Sequence, residues 1–165
     1  LESITAKLEE AGAEVIEYDD AVRVTRFKAL SKCNVKTMPH PGFPTDMQPQ
    51  MAVLLSIANG TSILSESVWD NRFQYVQQLL RMGADIQVDG KVAVIVGVPR
   101  LDGTTVRATD LRAGAAMIIA GLMAEGTTEI TDIYHIDRGY ENFEEKFVKL
   151  GGSIERVQVV DDLLD

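Results

Sequence analysis

The sequence predicts a mixed α/β (α+β) fold assembled from repeated units. Three observations carry this. Segments of helical spacing alternate with short runs of alternating hydrophobicity along the chain. The punctuation between them recurs. Ala11-Gly12-Ala13-Glu14-Val15 returns as Met82-Gly83-Ala84-Asp85-Ile86 and as Leu150-Gly151-Gly152-Ser153-Ile154, Gly60-Thr61 returns as Gly126-Thr127, and Arg72-Phe73 as Arg138-Gly139, at intervals of about 66 to 71 residues. Thr45-Asp46 likewise returns as Thr109-Asp110. A period this long means duplicated α/β subdomains rather than a thin solenoid. Finally, 165 residues, 45% of them hydrophobic, suffice for one compact core. The recurrences divide the chain into a truncated unit at 1–38, a unit at 39–97, a unit at 98–160 and an acidic tail at 161–165, all within one domain.

Each element has a local reason. A helical stripe of Leu1, Ile4, Leu8 and Ala11 gives a helix over 1–11, closed by Gly12. It opens without a cap or an initiator methionine, which reads as a piece of a longer chain. Strands follow at 13–18, 22–27 and 34–37. Residues 38–44 hold three prolines and form a rigid loop. A helix over 46–59 is expected next, with Thr45 as N-cap and Gln48 completing a capping box. A strand at 61–66 precedes a helix over 72–82, capped by Asp70 or Asn71. Residues 84–88 and 92–96 pair as a hairpin about Asp89-Gly90. A strand at 105–108, a helix over 110–124 and a strand at 127–133 come next. Asp137 then caps a helix over 138–150, and a strand at 153–157 ends the pattern.

The net charge of −9 excludes broad nucleic-acid binding, which needs a basic face. No apolar run is long enough to span a membrane. One cysteine, Cys33, permits no internal disulfide and reads as a small core residue in a strand. Two histidines, His40 and His135, both expected in loops, give no metal-ligand spacing with it. No metal and no cofactor is expected.

Three arginines stand out. Arg72, Arg112 and Arg138 all fall in the first turn of an expected helix, where the positive end of the dipole disfavours a cation by about 0.3 to 1 kcal/mol. A bound anion would reverse that sign, because a helix N-terminus beside a guanidinium suits phosphate or carboxylate. Alternatively, Asp70, Asp110 and Asp137 simply neutralise their neighbours. Asp46 and Asp110 are expected at N1, where acids are common; facing a ligand, Asp46 would accept a hydroxyl proton.

These residues sit in five ordered segments: Phe43-Pro44-Thr45-Asp46-Met47-Gln48, Asn71-Arg72-Phe73, Ala108-Thr109-Asp110-Leu111-Arg112-Ala113, Ala124-Glu125-Gly126-Thr127-Thr128, and Tyr134-His135-Ile136-Asp137-Arg138-Gly139-Tyr140-Glu141. Together they resemble the UDP-N-acetylglucosamine 1-carboxyvinyltransferase family of enolpyruvyl transferases over nearly the whole chain. The last segment is the most specific; the sibling family acting on shikimate 3-phosphate shares the fold without it. The resemblance implies an inside-out α/β barrel, in which repeated βαβαββ units surround a pseudo-threefold axis in each of two domains. It implies transfer of the enolpyruvyl group of phosphoenolpyruvate to the 3-hydroxyl of UDP-N-acetylglucosamine, in bacterial cytoplasm, for peptidoglycan synthesis and hence cell-wall biogenesis, cell shape and division. Under it Asp46 is the base at that hydroxyl and Val68 a backbone contact to the sugar nucleotide. Arg72, Arg112 and Arg138 handle phosphoenolpyruvate, and Asp110 assists proton transfer. Trp69 stands where relatives carry phenylalanine. Cys33 is not in the motif of the family's catalytic cysteine, and the family's lysine-asparagine pair is absent. The resemblance therefore implies one wall of an active site, inactive without the missing domain of the same enzyme. Two other readings are a non-catalytic module of this fold that binds a phosphorylated ligand, and a fragment that serves assembly.

Overall fold

In the computed structural model, which describes residues 1–158, two buried helices lie beneath short sheets whose other faces meet solvent. The chain begins with α1 (Glu2–Glu10), followed by the antiparallel pair β1 (Glu14–Glu17) and β2 (Val22–Thr25). A central unit follows. β3 (Val35–Lys36) lies parallel to β4 (Thr61–Ser65), with α2 (Gln48–Leu55) between them in sequence. α3 (Val76–Arg81) leads to β5 (Asp85–Asp89) and β6 (Val92–Val96), an antiparallel hairpin whose second strand pairs with β4. The sheet order is β3-β4-β6-β5 and the element order is βαβαββ. The last part is β7 (Thr105–Arg107), α4 (Leu111–Met123), β8 (Glu129–Thr131), α5 (Tyr134–Asp137) and α6 (Phe143–Lys149), with β7 parallel to β8.

The burial pattern follows from composition. β4 and β6 alternate buried and exposed residues, so one sheet face is wet. α2 and α4 instead bury most of their surface and carry almost no charge, the signature of interior helices. They pack against each other. Small residues allow close approach at α4: a Cβ added at Gly114 would sit 2.6 Å from Ile136.

The repeat is visible in the hydrogen bonds. The Ala11 carbonyl accepts from Ser31 N–H as that of Met82 accepts from Asp102 N–H. Asn59 N–H donates to Leu30 as Glu125 N–H donates to Leu101, and Thr37 N–H donates to Ser65 as Ala108 N–H donates to Thr131. Gly12, Gly83 and Gly151 share φ values of 99°, 90° and 91°, and Gly60 and Gly126 have 101° and 86°. Helix and turn exits thus use left-handed glycines at equivalent places.

Several expected boundaries move, each for a local reason. The capping box at Thr45 and Gln48 does not form. Residues Thr45–Met47 make a 3-10 turn instead, the Thr45 hydroxyl donates to Glu66, and the Gln48 amide oxygen accepts from the Tyr75 hydroxyl. Pro49, lacking an N–H, sits at the start of α2. The helix expected from 72 begins only at Val76, because Asp70 pairs with Lys91 and Asn71 turns left-handed at φ 55°. Asp137 does not cap a helix. It ends α5, and its carboxylate is held by Arg156. Residues 153–157 form no strand, and His135 lies in α5 rather than a loop. Cys33 is buried as expected but outside any strand, and burial raises its thiol to about 11. The expected acidic tail lies outside the described residues.

Gly97 tests the packing. An alanine Cβ there would meet the Ala58 carbonyl oxygen at 1.6 Å, a backbone atom that cannot move aside. Gly97→Ala should destabilise by more than ~3 kcal/mol. Gly126→Ala, with nothing within 4 Å of its Cβ, should cost only the left-handed backbone penalty of about 1–2 kcal/mol. Urea midpoints of the two variants check this; equal losses would contradict it.

Candidate functional site

The site forms where the turn before α2 meets the start of α4. Asp46 lies in the 3-10 turn, not at N1 of a long helix. Its carboxylate accepts from Nε of Arg112 across 66 residues of sequence. The side chains of Arg112 and Asp46 are 35% and 60% exposed, so the pair contributes no more than about 1 kcal/mol. Contact comes from helix packing, and the ion pair reports it rather than causing it.

Asp110 is the N-cap of α4 rather than N1. Its Oδ1 accepts from the N–H groups of Arg112 and Ala113, at 2.8 and 3.0 Å. That satisfies two of the helix's free donors and leaves Oδ2 uncommitted among the described residues. Arg112 is therefore the only one of the three arginines in the first turn of a helix. Arg72 lies in the loop before α3, and Arg138 is the residue after α5, so the helix-dipole argument fails for both.

Contacts nonetheless tie the segments that carry Arg72 and Arg138 to the elements that carry Asp46 and Arg112. The guanidinium of Arg72 stacks over the Trp69 ring, 5.7 Å from its centre. Trp69 N–H donates to Glu66 Oε1, and Glu66 Oε2 accepts from the Thr45 hydroxyl next to Asp46. On the other side, Gly139 presses against Leu111, where a Cβ would come within 2.7 Å of Leu111 Cδ1, and so sets Arg138 beside the first turn of α4. Arg138 is exposed and lines a recess with Tyr140, Asn142, Glu144 and Arg156. Among the described residues neither Arg72 nor Arg138 makes an ion pair.

Two groups escaped the sequence reading. Arg156 clasps Asp137 and Glu144, and its hydrogen bonds hold both carboxyls below their ordinary range. Glu66, only 2% exposed, accepts from the Thr37 and Thr45 hydroxyls and from the Val68 and Trp69 N–H groups at 2.7 to 3.1 Å. Burial alone would raise its pKa, but the four hydrogen bonds together outweigh burial and lower it. Its signal in the sequence was an acid within an alternating strand pattern, flanked by Ser65 and Ser67. The N–H of Val68 is spent on Glu66, which leaves the Val68 carbonyl as its remaining backbone polar group.

A depressed folded-state carboxyl stabilises above its unfolded pKa of about 4.3, and the stabilisation is lost as pH falls through the lower folded value. Fluorescence of Trp69, the one tryptophan, should therefore stay constant down to about pH 4 and change only below it. Glu66→Gln should erase that acid step; a step that survives it would assign the change elsewhere.

Comparison with known proteins matches the chain to a family. The family model for EPSP synthase (3-phosphoshikimate 1-carboxyvinyltransferase) covers residues 1–147. A UDP-N-acetylglucosamine 1-carboxyvinyltransferase of Clostridium botulinum is 57% identical over 95% of this chain and 38% of its own length. One from Desulfofundulus thermocisternus is 56% identical over 94% of this chain and 64% of its own. The enolpyruvyl transferase NikO of Streptomyces tendae superposes with a TM-score of 0.85 at 33% identity, covering 93% of this chain and 36% of that one. An EPSP synthase of Acinetobacter baumannii, 19% identical over 84% of this chain and 36% of its own, superposes at 0.62 and shares the fold. The chain thus spans about 38% of the length of most of the curated relatives it matches. On the family model and the fold together, the chain belongs to the EPSP synthase family of enolpyruvyl transferases.

Proposed function

We propose that this chain forms one wall of a site that transfers the enolpyruvyl group of phosphoenolpyruvate to the 3-hydroxyl of UDP-N-acetylglucosamine, a step of bacterial peptidoglycan and cell-wall synthesis in the cytoplasm. The observation that carries it is the contact between Asp46 and Arg112. It sets an acceptor for an alcohol proton against a cation for an anionic donor. The relatives named for this activity support the choice of substrates.

In this reading the acceptor hydroxyl gives up its proton to Asp46 as its oxygen bonds the central carbon of the donor, while the donor's double bond opens and its methylene carbon takes up a proton from an acid of the opposite wall. Loss of a proton from the resulting methyl group then re-forms the double bond as the carbon–oxygen bond to phosphate breaks, and phosphate leaves carrying the proton that balances the reaction. Arg112, Arg138 and Arg72 neutralise the donor's carboxylate and phosphate. The dianion displaces Asp46 from Arg112 at little cost, because that pair is weak and partly wet. Asp110 holds the first turn of α4 in place and presents its free oxygen for proton transfer. The Val68 carbonyl receives an amide or hydroxyl of the sugar nucleotide. The remainder of the relatives' length supplies the opposite wall as the partner domain.

The chain alone should release no phosphate from the two substrates. Completed to the length of its relatives it should do so, and Asp46→Asn should lower kcat by about 10²- to 10⁴-fold. Arg112→Ala should raise KM for phosphoenolpyruvate while leaving that for UDP-N-acetylglucosamine less affected. A phosphate-release assay decides, and Asp46→Asn turnover near wild type would remove the proposal's basis.

A further inference from the structure

Glu66 is a carboxylate in an odd place. It directly follows the sheet strand β4, is almost fully buried, and has no cation among its hydrogen-bond partners. Isolated burial of a charge is costly unless hydrogen bonds replace its water. Here four donors do so, from three stretches of chain: Thr37 after β3, Thr45 before α2, and Val68 and Trp69 after β4. Thr37 is itself shared, since its hydroxyl also accepts from Ser67 N–H and its carbonyl accepts from the Ser67 hydroxyl.

We infer that Glu66 is a positioning residue for the acceptor. It clamps the turn carrying Asp46 to the segment carrying the Val68 carbonyl, and so fixes the distance between the proton acceptor and the sugar-nucleotide contact. This rests on the proposed function for the identity of the acceptor, but the clamp is a property of the chain itself. Convergence is what makes the clamp hold: one buried side chain accepts from donors on three separate stretches of chain. The arrangement also explains why Thr45 abandons its expected capping role: its hydroxyl is drawn to the carboxylate.

The two substitutions separate the clamp from general stability. Glu66→Gln keeps an oxygen where Oε1 accepts from Thr37, Val68 and Trp69, and the Thr45 hydroxyl can turn to accept from the new amide. Glu66→Ala removes the acceptor from all four donors, of which the Thr37 hydroxyl is fully buried. In the chain as it stands, acrylamide quenching of Trp69, which is already 56% exposed, should rise above wild type in Glu66→Ala and stay near wild type in Glu66→Gln. In the protein at the full length of its relatives, Glu66→Ala should raise KM for UDP-N-acetylglucosamine about tenfold or more. KM for phosphoenolpyruvate should change much less, and Glu66→Gln should recover most of the loss.

Unchanged quenching in a folded Glu66→Ala would overturn the clamp. So would equal rises in both KM values, which is what a merely structural loss produces. Should Glu66→Ala fail to fold, Thr45→Val is the substitute, breaking only the link to the Asp46 turn, with the same selective KM rise expected; both KM values unmoved would overturn it. Absence of turnover in the wild type would count against the proposed function, while the quenching arm would still decide the clamp.

Discussion

Everything at the candidate site depends on the packing of α2 against α4. These helices carry almost no charge and bury their facing sides, so their contact is fixed by apolar area rather than by polar choice. The residues that precede them, Asp46 and Asp110, are thereby brought to one end of the pair. Arg112, one residue into α4, follows. Without that packing, two segments 66 residues apart would have no reason to meet, since the ion pair between them is too exposed to hold them. The repeated βαβ geometry makes the meeting general: each parallel strand pair delivers the start of its central helix to the same region.

Much of this was legible in the sequence because it is periodic. The glycines at 12, 83 and 151, and at 60 and 126, mark equivalent turns, and their left-handed φ values are the physical reason glycine recurs there. The hairpin of β5 and β6 and the interior helix α4 follow directly from alternation and from an uncharged apolar run. The site was legible only in part. Asp46 and Arg112 were singled out, and they touch. The helices expected to begin at Arg72 and Arg138 start later, at Val76 and Phe143, because long-range partners take the expected caps: Lys91 takes Asp70, and Arg156 takes Asp137. Neither partner has a signature in the local pattern.

Glu66 illustrates the deeper limit. A carboxylate inside an alternating run reads as a solvent-facing strand residue. It is buried because three separate loops bring hydroxyls and amides to it, and no window of sequence contains all of them. Sequence reasoning prices a buried charge by its own desolvation. The structure prices it by the donors that tertiary packing assembles.

The two carboxylates on either side of Thr45 therefore divide the electrostatic work by solvent exposure. Glu66 is dry and fully engaged, so its contacts are strong, resistant to acid and costly to rearrange. Asp46 is wet and engaged only with a partly exposed arginine, so its contact can be exchanged for another anion or an alcohol at little cost. Under the proposed function a binding wall needs both kinds. A rigid carboxylate at the substrate face would resist the change of partners that the proposed group transfer demands, and a mobile one beneath it would leave the loops to wander. The placement of Asp46 and Glu66 either side of one threonine puts the exchangeable charge on a fixed base.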